Sequence, residues 1–318
     1  MSKFLFTRLP PSHWHELCVS EGNLFHSLEW QTVLKKAFNS QTLYGWNAET
    51  ETGVAITIFK VGPFRIGYVG FPVGGILGKQ PLDNESLMAL SKAPLPIALH
   101  FLRLPTSAFD DNGMVVNLDS ITTPETAIVD LQKWQLSQLP KLNRDIKKAN
   151  RSGLKVIDAL SSHGKICYHL YKDTIRRHDG NLRYNLNYFN ALIELSHTQT
   201  NLRCLLAFLD DEIAGFIIIA LHGKTAYYLH GAMNQSLRRY CASDRLLHEA
   251  IVWARKKGMN CFNLMASPSN QVSLIRYKEK WGGITKEQKV YELPIKPLYA
   301  KVFKGTMWFY NHLNKYFT

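Results

Sequence analysis

The residues best placed for chemistry fall in three short stretches. Tyr277-Lys278-Glu279-Lys280-Trp281-Gly282-Gly283 is a basic, aromatic helix end closed by two glycines. His178, between Arg177 and Asp179, and His230, two residues after Tyr228, are candidate proton carriers. An imidazole titrates near neutrality, so it can take a proton from an ammonium directly or through water. His178 equally suits a helix cap, and His230 a sheet face. Arg238-Arg239, just ahead of Ala242-Ser243, carry charge suited to phosphate, whereas Asp244 opposes it. Glu194 and Glu249 are carboxylates able to act through water, with no spacing that favours either. No His, Asp, Glu or Cys grouping has metal-ligand spacing, so no metal is expected. Neither a Gly-x-Ser-x-Gly turn nor a catalytic cysteine setting occurs.

The elements that must position these residues are clearest in the second half. Pro140–Arg151 reads as a helix with Gly153 just past its end, followed by a strand from Leu154 to Ile157. Ile166, Leu170, Tyr171 and Ile175 recur at helical spacing, giving a helix from about His163 to His178. A second helix runs from about Asn187 to Ser196. Three strands, Cys204–Leu209, Ile213–Leu221 and Thr225–Ala232, are separated by turn-length loops and so should be antiparallel neighbours. Tyr228 and His230 alternate along the last of them, which places both on one side. Leu246, Leu247, Ala250, Ile251 and Ala254 make one apolar stripe of a helix with Ser243 as its N-cap and Gly258 at its end. Cys261–Met265 is a short buried strand. Ser267-Pro268 opens a helix running to Lys280, and Lys289–Leu293 is the last strand. The order is β-α-α-β-β-β-α-β-α-β.

The first half is less regular. Trp14, Leu17, Phe25 and Trp30–Phe38 point to helices, and Val54–Lys60 with Phe64–Phe71 to a hairpin. Pro72-Val73-Gly74-Gly75 marks a sharp turn, and Pro94–Leu104 and Met114–Leu118 are strand candidates. Nothing in the chain reaches the length of a membrane helix, and the N-terminus lacks the long apolar region of a signal peptide. The five cysteines are odd in number and never spaced as C-x-x-C, so a reducing cytoplasm is the expected location. A formal charge of +13 is clustered, in Lys141–Arg151 and in Arg276, Lys278, Lys280, Lys286 and Lys289. It favours an anionic partner, such as a CoA pyrophosphate, tRNA, a nucleotide-linked sugar or an acidic membrane. No RNA-binding aromatic motif accompanies it, and DNA is not expected.

Several of these stretches resemble the Fem-like branch of the GNAT acyltransferases. Arg176-Arg177-His178 is similar to the end of the first helix in that family. Leu247-His-Glu249-Ala250-Ile251-Val-Trp253-Ala254-Arg255-Lys-Lys-Gly258 resembles the main cofactor-proximal helix, and Tyr277–Gly283 the closing motif. Ser27-Leu28-Glu29-Trp30 resembles an N-terminal tryptophan motif. The resemblance implies an α/β fold of two GNAT-like domains in tandem, each a mixed, mainly antiparallel sheet flanked by helices. Residues 1–138 would be a degenerate copy joined by a C-terminal helix, 298–318, and residues 139–297 the acyltransferase domain.

The same resemblance implies roles. Lys278 would face the cleft and stabilise an oxyanion or bind phosphate, with Tyr277 and Arg177 on the substrate wall. His178, His230 and Tyr228 would border the acyl site. Arg238, Arg239, Ala242 and Ser243 would hold the pyrophosphate of acyl-CoA, most simply acetyl-CoA, although the glycines usual in that loop are missing. Lys35 and Lys36 would meet acceptor phosphate. The implied activity is direct transfer from acyl-CoA to an amine acceptor, a small molecule or an envelope or polysaccharide precursor. Two other functions stay open: an aminoacyl-tRNA-dependent transferase on a cell-wall precursor, and a non-catalytic binding or membrane-associated scaffold. The tail after Pro297 carries Phe303, Met307, Tyr310 and Leu313 on one stripe, suited to packing on the first domain or to an anionic membrane surface.

Overall fold

The computed structural model describes residues 4–78, 90, 95–109, 120–178, 180–299, 301–302 and 305. The chain divides into two compact units: residues 1–35, 39–122 and 288–318 form the first, and 36–38 with 123–287 the second.

The first unit begins with β1 (Leu5–Thr7), α1 (Trp14–Glu21) and α2 (Leu28–Phe38), whose last three residues group with the second unit. Ser27 caps α2 by accepting the Trp30 N–H at 3.2 Å, and Asn39 ends it in the left-handed region. Then come β2 (Gln41–Asn47), β3 (Thr52–Val61), β4 (Phe64–Val69) and β5 (Phe101–Thr106). Strands β1 to β4 are antiparallel neighbours in order, and β5 lies parallel to β4. The strand expected at Pro94–Leu104 therefore begins later, and Gln41–Asn47 was not foreseen at all. Residues 114–118, also expected as a strand, lie outside the described residues. The turn at Pro72–Gly75 is held from below: Trp30 Nε1 donates to Phe71 O at 2.6 Å, and Asn23 Nδ2 to Gly74 O at 3.1 Å.

The second unit contains β6 (Ser120–Ile128), whose first three residues group with the first unit, then α3 (Pro140–Arg151), β7 (Lys155–Asp158), α4 (Gly164–Arg177), α5 (Leu186–Thr198), β8 (Leu202–Leu209), β9 (Glu212–His222), β10 (Thr225–Met233), α6 (Ala242–Lys256), β11 (Cys261–Ala266) and α7 (Val272–Glu279). This is the expected element order, preceded by the unforeseen strand β6. Strands β7, β8, β9 and β10 pair antiparallel, β10 and β11 parallel, and β11 and β6 antiparallel. One face packs on α3 and α6 through Leu142, Ile146, Ile217, Ile219, Leu246, Leu247, Ala250, Phe262 and Trp281. Trp281 lies 19° from parallel with Trp134, whose Nε1 donates to Trp281 O at 2.7 Å.

Two helix starts differ from expectation. Cys241, at φ 58°, is the N-cap of α6 in place of Ser243, and it makes no side-chain cap. Pro268 starts only a turn, accepting the Gln271 N–H at 2.9 Å, and α7 begins at Val272. The last strand, β12 (Ile284–Leu293), is longer than foreseen. Its end from Lys289 to Leu293 pairs antiparallel with β5 and completes the first unit's sheet. Residues 297–299, 301, 302 and 305 are helical, as the tail was read. The stripe from Phe303 to Leu313 lies outside the described residues.

Candidate active site

Strands β10 and β11 pair only from Thr225 to Tyr227 with Cys261 to Asn263, although β10 continues to Met233. Beyond that point the two parallel strands are no longer paired. A bulge interrupts β10 at the same place: Tyr228 opposes Ile219 and His230 opposes Ile218, so Leu229 is left out of the ladder. The extra residue sends Tyr228 and His230 to opposite faces, which corrects the expectation from simple alternation. Tyr228 packs with Tyr277 and the core under α6. Burial pushes its hydroxyl up to about 12. That hydroxyl lies over Gly231, where an added Cβ would come within 2.1 Å of it.

His230 turns instead toward α4 and α5. Its ring sits among Tyr171, Tyr184, Tyr188 and Phe189 at centroid distances of 4.6–5.8 Å, and Nε2 shares a 3.0 Å hydrogen bond with the Tyr188 hydroxyl. Burial among these rings pushes the imidazole down to about 3. A neutral imidazole in this setting is a poor proton acceptor at neutral pH.

Lys278 is 4% exposed. Its ammonium donates to Met265 O at 2.7 Å and Ala266 O at 3.2 Å, at the free end of β11. Burial pulls it down to about 7, against the attraction of Glu125. Glu125 itself is fully buried and accepts from Asn263 Nδ2 at 2.8 Å, while Asn263 Oδ1 accepts the Met265 N–H at 2.7 Å. Met265 is held at φ 64°, so this network shapes the strand end as well as the lysine. Glu125 and Asn263 escaped sequence reasoning. The β-branched residues of Ser120–Ile128 were the signal that a strand passes there.

At the start of α6, Asp244 is 8% exposed and faces inward. Lys280 Nζ lies 3.0 Å from Asp244 Oδ1 and 3.3 Å from Asp145 Oδ2, and 5.4 Å from the centre of the Tyr277 ring. Burial raises the Asp244 carboxyl, with Lys280 opposing. Burial likewise holds the Tyr277 phenol well above its usual range, and Asp244 adds to this. Because α6 has no side-chain cap, its first-turn N–H groups lack a side-chain acceptor among the described residues. An anion such as the CoA pyrophosphate fits those donors, with Ala242 and Ser243 supplying N–H groups. Asp244 is no obstacle in this arrangement, since Lys280 balances it on the inner side. Arg238 and Arg239 precede the cap. The Arg239 guanidinium stacks 4.8 Å over Tyr240 and bonds its hydroxyl at 2.8 Å.

The remaining candidates, Glu249 apart, are exposed. Arg177, exposed at the end of α4, donates to Gln235 Oε1 at 2.6 Å. His178 is an exposed C-cap residue with its backbone N–H on Ile175 O. Lys35 is exposed in the first unit. Lys36 forms a surface pair with Glu194 at 2.9 Å, and Glu249 pairs with Arg245 at 2.6 Å, so neither carboxylate is a free base. Among the described residues, no group of three or more His, Cys, Asp or Glu could hold a metal.

Residues 138–279 match the model of the acetyltransferase (GNAT) domain family. Residues 138–279 are thus a GNAT domain, and the chain as a whole has the Fem-like, tandem GNAT fold. FemX superposes with a TM-score of 0.66 at 14% identity, covering 94% of this chain and 99% of FemX. A tandem GNAT protein from the clavulanic acid pathway gives 0.57 at 7% identity, over 93% and 99% of the two chains. L-PGS from Bacillus licheniformis gives 0.54 at 14% identity, over 88% and 91%. At these identities the likeness is one of fold. No curated protein sequence matches the chain. The early end of pairing between β10 and β11 and the open start of α6 are therefore features of this GNAT domain, whatever its donor and acceptor.

Proposed function

We propose that the chain transfers an acyl group from acyl-CoA to an amine on a small molecule or an envelope precursor. The observation that carries this reading is the end of pairing between β10 and β11 just ahead of an α6 whose first turn has no cap. Donor phosphates would sit on the N–H groups of Ala242 and Ser243 beside Arg238 and Arg239. The amine nitrogen forms its bond to the thioester carbon as the C–S bond breaks. Leu229, outside the ladder, offers an N–H to the oxyanion, and Lys278 offers charge. The leaving thiolate takes its proton from the Tyr228 hydroxyl, and the amine gives its own to water. The Fem-like fold supports an envelope precursor as acceptor.

A panel of acyl-CoAs tests the reading by ligand linkage: at least one should raise the melting temperature, and acyl transfer to candidate amines should follow by mass spectrometry. No shift with any acyl-CoA would overturn it. The net charge of +13 favours a second reading, in which the donor is aminoacyl-tRNA. Salt-sensitive tRNA binding, with CoA ignored, would put that donor first.

A further inference from the structure

The basic stretch Lys141–Arg151 has no part in the chemistry above, and the structure shows what it is. Helix α3 buries Leu142, Ile146 and Ala149 in the core. With 3.6 residues per turn, Lys141, Arg144, Lys147, Lys148 and Arg151 fall within an arc of about 120° on the opposite side. All five are exposed. Among the described residues none of them joins an ion pair. The one acidic residue of the helix, Asp145, is turned away to Lys280. Five uncompensated positive charges thus line about 15 Å of helix, with no apolar or aromatic side chain among them.

We propose that this face of α3 docks the protein on an anionic phospholipid surface. A helix carrying roughly four to eight Lys and Arg side chains has the composition that anionic lipid headgroups attract. Nucleic acid is the other polyanion such a face could meet, but two features disfavour it. Single-stranded nucleic acid is gripped by rings that stack on bases within a cationic groove, and this face is convex and has no ring. It is also a single row of charges presented outward, which suits a plane. The apolar stripe of α3 is already used in the core, so the contact is electrostatic, reversible and screened by salt. The proposal does not depend on the identity of the acyl donor.

The test is co-sedimentation of the full chain with vesicles of phosphatidylcholine, with and without phosphatidylglycerol. Binding should require phosphatidylglycerol and fall at least tenfold between roughly 0.05 and 0.5 M salt, as screening demands. The fourfold variant Lys141→Gln, Arg144→Gln, Lys147→Gln, Arg151→Gln should lose at least about tenfold in vesicle affinity while melting as the parent does, because all four side chains are solvated. A control removes the same charge elsewhere, with Lys165→Gln, Lys224→Gln, Lys256→Gln and Lys257→Gln, all exposed. It should keep vesicle binding. Equal losses in both variants, no binding to phosphatidylglycerol vesicles, or binding of tRNA through the α3 face with vesicles ignored would each overturn the proposal.

Discussion

A lysine whose ammonium is held down to about 7 is half neutral under ordinary conditions, and Lys278 owes this to burial. The unfolded chain keeps a proton on it up to the usual 10.5, so between about pH 7 and 10.5 the unfolded state binds more protons than the folded one. This group therefore makes the fold more stable as pH rises through that window, by roughly 5 kcal/mol at most. In Lys278→Met the rise should be missing from urea melts taken from pH 7 to 10. If Lys278 also supplies charge to the oxyanion, the same variant should lose about a hundredfold or more in kcat. A pH-independent stability difference would show that the lysine stays charged inside. His230 is depressed as well, to about 3, so it costs stability as pH falls from about 6.5 toward 3. His230→Gln should soften acid unfolding in that range. It should leave the neutral-pH limb of the rate profile where it is, since the native imidazole carries no proton there; a displaced limb would restore His230 as the base.

At the scale of elements, the bulge in β10 decides which side of the sheet Tyr228 and His230 face. Gly231 has no room for a side chain because the Tyr228 hydroxyl fills the volume beside it. Gly231→Ala should therefore cost about 1–3 kcal/mol and lower activity. Adding Tyr228→Phe should recover part of the stability in thermal melts but none of the activity; full independence of the two effects would mean that the ring moves freely. The sequence carried most of the second unit, since hairpin loops such as Asp210-Asp211-Glu212 and the stripe Leu246, Leu247, Ala250, Ile251 and Ala254 are local signals. It could not carry the bulge. A strand of alternating residues looks the same with or without one extra residue left unpaired, so Tyr228 and His230 seemed to share a face. Nor could it carry Glu125 beside Asn263, because that contact joins residues far apart in the chain and depends on the pairing of β11 with β6. The cap of α6 was missed for a third reason: Cys241 starts the helix through a left-handed backbone, which its residue type does not announce.

The whole molecule is two units, and the chain visits them unequally. Residues 123–287 make nearly all of the second, whose two ends meet in a 3.0 Å hydrogen bond between the hydroxyls of Thr126 and Thr285. The first is discontinuous: Tyr291 and Leu293 belong to the same buried cluster as Leu43, Ile56 and Leu104. A chain stopped after Glu287 lacks those two side chains and the strand that covers β5. Limited proteolysis of that truncated protein should leave a resistant piece spanning about 123–287, with residues 1–122 digested. Survival of the N-terminal part would mean that its core closes without the returning strand. The same strand fixes an order of events on the ribosome. Emerging at roughly 5–20 residues per second, the second unit is complete in sequence before the first receives its final strand. The earlier-made of the two units thus closes after the later-made one is complete in sequence, and during synthesis its β5 edge waits bare for a partner.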